Sequence, residues 1–105
     1  VGSNNLAMVG LACRAGRVMS GSAACEKGLK QRKICLLLIQ QGLSEGSRKG
    51  FIELCGRFGA ETMMIAAEDD LGRAIGKPGV MLVGIADAGF AKAIQNNYHG
   101  GSGIE

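Results

Sequence analysis

The sequence has no tryptophan, one tyrosine and three phenylalanines among 105 residues. Proteins that grip single-stranded nucleic acid by stacking need exposed rings, whereas Phe51, Phe58 and Phe90 all fall at positions that read as core. Histidine is as scarce: His99 is the only one, set in a glycine-rich tail. Cys13, Cys25, Cys35 and Cys55 contain no CxxC pair. Metal sites usually need closely spaced ligands, so no metal site, no cofactor and no Cys–His nucleophile is expected. Four small, mostly buried thiols are expected instead. Ser, His and carboxylate residues converge on no nucleophile motif, which argues against an enzyme and against a small-molecule substrate. The longest apolar run, residues 34–39, is far too short to cross a membrane. No charged and then apolar leader opens the chain, which predicts a cytoplasmic protein with no membrane partner.

What is present fits an ordinary folded domain. Hydrophobic residues make up 47% and charged residues 20%. The length suits one core, so residues 1–105 are read as a single domain with a loose tail from about residue 99. The net charge of +3 and the pI near 8.8 permit an anionic partner without demanding one.

Ser3 can cap a helix from about residue 4 to residue 15, stopped by Gly16. Residues 17–20 read as a short strand, and "GSAACEKGLKQRK" as a second helix with Ser20 or Ser22 as its cap. "ICLLLI" is a continuous apolar strand, expected to be buried on both faces. Ser44 opens a third helix, in which Phe51, Leu54, Cys55 and Phe58 follow helical spacing and Gly59 is the stop. "ETMMI" and residues 80–86 are further strands, and Asp87 caps a last helix with Phe90, Ala91 and Ile94 on its apolar face. The α-β-α-β-α-β-α-β-α order predicts an α/β fold, a three-layer α/β/α sandwich around a four-stranded mixed sheet. Gly28, Gly50, Gly56 and Gly72 lie inside these helices. Each costs roughly 1 kcal/mol relative to Ala unless close packing offsets it.

"LGRAIGKPG", residues 71–79, looks like a phosphate loop with a part missing. A P-loop needs four residues between its glycines and a hydroxyl after the lysine. Only three residues separate Gly72 from Gly76, and Pro78 stands where the hydroxyl should be. Read as a helix stop, every residue fits. Glu68, Asp69 and Asp70 suit the positive end, Leu71, Ala74 and Ile75 the apolar stripe, and Gly76 a left-handed terminator.

The densest basic stretch, "KGLKQRK", places Lys27, Lys30, Arg32 and Lys33 within seven residues. A solvated helix face is one reading. A helix start that contacts phosphates, preceded by Ser20-Gly21-Ser22, is the other. The wider pattern "LACRAGRVMSG…KGLKQRKICLLLI…LCGRFGAET…DDLGRAIGK…VGIADAGFAKAI" resembles the kink-turn RNA-binding ribosomal-protein superfamily, the L-seven-Ae-like proteins, and most of all its small bacterial members of the YlxQ/YbxF type. The resemblance runs from about Leu6 to Ile94. It implies an α/β/α sandwich and a non-enzymatic, ribosomal-protein-like function. The implied partner is structured, kink-turn-like RNA, ribosomal RNA among the candidates, bound by a monomer. It also implies that the loop after the "LGRAIG" helix lies beside the loop opening the basic helix. The implied RNA-binding residues are Gly21, Ser22, Lys27, Lys30, Arg32, Lys33, Lys77, Pro78, Gly79 and Val80.

The chain departs from that family pattern at two places. The family's RNA loop runs Gly, a small residue, Asn, Glu, two variable residues, then Lys. Gly21, Ser22 and Lys27 match, but Ala23 and Ala24 stand at the Asn and Glu positions. Alanine offers no base-edge contact, which is typically worth about 1–3 kcal/mol. After the central strand the family favours Ala-Glu-Asp, and this chain has Gln40-Gln41-Gly42. These departures motivate an alternative: the same fold acting as a protein-interaction module after losing kink-turn recognition.

Overall fold

A computed structural model describes residues 6–98. Ser3, the predicted helix start at residue 4, His99 and the rest of the tail lie outside the described residues. The elements follow in the predicted order: α1 (Ala7–Arg14), β1 (Val18–Ser20), α2 (Ser22–Lys30), β2 (Leu36–Gln40), α3 (Glu45–Phe58), β3 (Glu61–Ile65), α4 (Leu71–Ala74), β4 (Leu82–Ile85) and α5 (Ala88–Asn97).

Local chemistry sets most of these boundaries. Ser44 Oγ accepts the Ser47 N–H at 3.3 Å, and Asp87 Oδ1 accepts the Phe90 N–H at 2.8 Å, so both side chains satisfy first-turn donors. Asp70 does the same for Arg73, at 3.1 Å. That cap starts α4 at Leu71, leaving Glu68 and Asp69 in the preceding turn. The second helix departs from expectation, because neither Ser20 nor Ser22 caps it. Ser20 stays in the ladder opposite Val83, and Gly21 makes the corner at φ 91°, a conformation suited to glycine. The cap position therefore falls on a residue without a side chain, and Ser22 is already helical.

The sheet order is β1-β4-β2-β3. β4 is antiparallel to both β1 and β2, and β2 is parallel to β3, so the sheet is mixed as expected. Alternation along β2 divides the core between its two faces. Leu36 and Leu38, with Ile65, Val83 and Ile85, pack against Val9 of α1, Leu71 of α4, and Ala91 and Ile94 of α5. Leu37 and Ile39, with Leu82, pack against Cys25 and Leu29 of α2 and Cys55 of α3. Helices thus cover both faces of a sheet whose central strand is wholly buried.

Two expectations need correction. Cys25 and Cys55 are buried and Cys13 is half-buried, but Cys35 is exposed. The apolar run begins two residues before the strand, and Cys35 sits at the uncovered sheet end, where its N–H donates to the Ile85 carbonyl at 2.8 Å. Burial pushes the Cys25 thiol up to about 12 and the Cys55 thiol to about 11, so both stay protonated at neutral pH. Of Gly28, Gly50, Gly56 and Gly72, close packing explains only Gly28 and Gly72. Gly50 and Gly56 face open space. Among the described residues no helix is long and apolar enough to cross a membrane.

Candidate nucleic-acid interface

The strand directions gather four connections at one end of the sheet. β1, β2 and β3 all finish there, and β4 begins there. The corner at Gly21, residues 40–42, residues 66–70 and residues 76–81 are therefore neighbours. Two contacts join the first to the last: the Gly21 N–H donates to the Leu82 carbonyl at 2.9 Å, and Lys77 Nζ donates to Ser20 Oγ at 3.4 Å.

The stretch after α4 has a defined shape. Gly76 lies at φ 74°, and the Lys77 N–H closes back on the Gly72 carbonyl at 2.8 Å, a Schellman ending. Lys77-Pro78-Gly79-Val80 then forms a tight turn, with the Val80 N–H donating to the Lys77 carbonyl at 3.2 Å and Gly79 at φ 93°. Proline second and a positive-φ glycine third are the requirements of a type II turn. Lys77, Pro78 and Gly79 are exposed and Val80 is half-buried.

Across from this turn, α2 begins at Gly21 with no side-chain cap. Its first N–H groups and the positive end of its dipole are left for water or an anion. Ser22, Ala23 and Ala24 are exposed in the first turn of the helix, and Lys27 is exposed in its last turn. The remaining cations of the basic stretch go elsewhere. Lys30 pairs with Glu26 at 2.9 Å. Arg32 and Lys33 lie beyond the far end of α2, about 13 Å away by helix rise alone. Arg32 Nη1 donates to the Phe58 carbonyl at 3.3 Å, and its guanidinium lies 5.4 Å from the centre of the Phe58 ring. Close spacing in sequence therefore did not bring the expected residues together: Gly21, Ser22 and Lys77 to Val80 share one end, Arg32 and Lys33 take the other, and Lys27 and Lys30 lie along α2 between them.

No family model matches the chain. The RNA-binding protein YlxQ of Bacillus subtilis (strain 168) is 29% identical over 87 residues, covering 83% of this chain and 87% of that protein. A protein of unknown function from Bacillus halodurans C superposes with a TM-score of 0.83 at 25% identity, covering 90% of this chain and 96% of that one. The 15.5kD RNA binding protein of Giardia lamblia gives a TM-score of 0.72 at 15% identity, with 91% and 86% covered. The chain is thus similar in sequence to YlxQ and shares its fold with the Bacillus halodurans and Giardia lamblia proteins.

Where the L-seven-Ae-like pattern has Ala-Glu-Asp, the two glutamines of this chain tie loops together. Gln40, buried at the end of β2, donates through Nε2 to the carbonyls of Ala66 at 3.1 Å and Asp69 at 2.9 Å. Its Oε1 accepts the Leu71 N–H at 2.8 Å. Gln41 Oε1 accepts the Ala67 N–H at 3.0 Å. Just after α5, the Tyr98 hydroxyl accepts the Ala66 N–H at 2.8 Å and donates to Asp69 Oδ2 at 2.7 Å. Burial and then the Asp69 carboxylate push this phenol up to about 12. These clamps were not anticipated from the sequence; a polar residue closing a wholly apolar strand was the available signal. Gln40→Leu strands one buried and two part-buried backbone groups and is expected to cost about 2–4 kcal/mol in a urea titration.

Carboxylates do stand at this end, but two of the three are engaged within the fold. Asp69 is held by Tyr98, Asp70 caps α4, and Glu68 is exposed. Asp69 and Asp70 border a shallow hollow of about 320 Å³ between Gln41 and Val80, while Lys77 stands at the α2 corner on Ser20.

Proposed function

We propose that this protein is a non-enzymatic binder of structured, kink-turn-like RNA, docking it on the end formed by Gly21, Ser22 and the Lys77-Pro78-Gly79-Val80 turn, with Lys27 alongside on α2. The contact that carries this reading is Lys77 Nζ on Ser20 Oγ at 3.4 Å, which unites segments 57 residues apart in one cationic edge. The similarity to YlxQ, named as RNA-binding, supports the partner class. On this reading the uncapped start of α2 and the two lysines hold phosphates, and the rigid turn fits against the folded backbone. The partner is folded RNA, ribosomal RNA included, met by a monomer in the cytoplasm.

Calorimetric titration with a kink-turn RNA and with an unkinked duplex tests this directly. Tighter binding of the kinked RNA is expected. Equal binding of both rejects selectivity, and absence of binding to either favours the protein-interaction module that exposed Ala23 and Ala24 suggest. Replacing Lys27 and Lys77 together by Ala is expected to weaken binding and to flatten the slope of log K against log salt by about 0.7–0.9 for each lysine.

A further inference from the structure

The far end of the sheet carries its own set of unpaired cations. Arg17 precedes β1, Arg32 and Lys33 follow α2, and Lys92 stands on α5; all four are exposed. The Arg17 carbonyl accepts the Ala86 N–H at 2.8 Å, which fixes it at this end. Arg32, Cys35, Gly89 and Lys92 line one open hollow of about 750 Å³. Among the described residues none of the four cations has a carboxylate in ion-pair range, whereas Lys30, Lys49 and Arg57 each do. Of the nearby acids, Glu61 lines the same hollow and accepts from the Gln95 amide, and Asp87 caps α5.

Arg32 adds a second observation. Its φ of 58° is the only positive value at a non-glycine residue among those described. The Arg32 N–H donates to the Leu29 carbonyl and the Lys33 N–H to the Gly28 carbonyl, both at 2.9 Å, a Schellman ending like those that use Gly16 and Gly76. Glycine would be less strained here. The chain instead places a guanidinium there and fixes it against Phe58. Phe58 also lines the hollow, which therefore offers a positive charge fixed over one aromatic ring.

We propose that this far end is a second phosphate-binding surface, taking the backbone of another stretch of the same folded RNA. The proposal rests on the RNA-binding reading above. An arginine fork and flanking lysines match phosphate oxygens without reading sequence. The five-residue strand β2 separates the two ends by about 17 Å, so they take separate RNA segments and the protein bridges them.

The test compares a short kink-turn RNA with the same RNA carrying an added duplex arm, using wild type, Lys33→Ala/Lys92→Ala and Lys27→Ala/Lys77→Ala. The first variant is expected to leave the short RNA within about twofold and to weaken the armed RNA about tenfold, with its salt slope reduced by about 1.4–1.8. Equal wild-type affinity for the two RNAs, or equal losses on both, overturns the second surface. Failure of the first reading looks different, because wild type would then not bind the short RNA. A plain duplex decides in that event: binding abolished by Lys33→Ala/Lys92→Ala alone supports the far-end surface, and binding indifferent to that variant overturns it.

Discussion

Replacing Ala23 by Asn and Ala24 by Glu together is expected to tighten binding to a kink-turn RNA by about ten- to a hundredfold, the worth of a restored base-edge contact. Affinity for an unkinked duplex should stay the same. Both alanines are exposed in the first turn of α2, beside Gly21 and facing the end that carries Lys77. They occupy the positions where the L-seven-Ae-like pattern puts a guanine-contacting Asn and its acidic neighbour. The scaffold should tolerate the change. A carboxylate in the first turn is favoured by the helix dipole, and Asn costs only about 0.6 kcal/mol of helix propensity. Parallel titrations of both RNAs give the answer. An unchanged affinity for the kinked RNA would mean that α2 meets RNA in another register or not at all.

Gly72→Ala is expected to produce the largest loss of stability of any single methyl added to this protein, about 2–3 kcal/mol. The new Cβ would lie 2.6 Å from the Lys77 carbonyl oxygen, 2.9 Å from the Val80 nitrogen and 3.0 Å from the Gly79 nitrogen. All three are backbone atoms of the turn that closes on Gly72, so relief requires moving the turn itself. Gly28→Ala is the control. Its Cβ would meet the Met19 sulfur and the end of the Ile34 side chain, which can rotate aside, so its penalty should be smaller, about 1 kcal/mol. Urea titrations rank the two. RNA affinity measured below the unfolding transition should fall for Gly72→Ala alone, since only that change displaces Lys77.

The element order was legible because short-range chemistry punctuates it. Asp70, Ser44 and Asp87 are caps that act within three residues, and Gly16, Gly59 and Gly76 stop helices through their own backbone conformation. Strand faces were legible for the same reason: a run such as "LLLI" admits little but burial on both sides. What escaped depends on distance. The Gln40 clamp joins residues 31 apart, and nothing local separates it from a solvent-exposed glutamine. Arg32 and Lys33 were grouped with Gly21 and Ser22 because a string counts residues, whereas a helix turns that count into length along an axis. Gly50 and Gly56 have no packing explanation, and their helix runs through regardless.

Because the Gly21 amide hangs from β4 and the Gln40 side chain grips the loop leading to Leu71, the end facing the proposed RNA is stiff before any partner arrives. The conformational entropy surrendered on docking would then fall almost wholly on the polynucleotide. Association should quicken with any ion or sequence that pre-bends the RNA and be indifferent to changes that merely rigidify the protein.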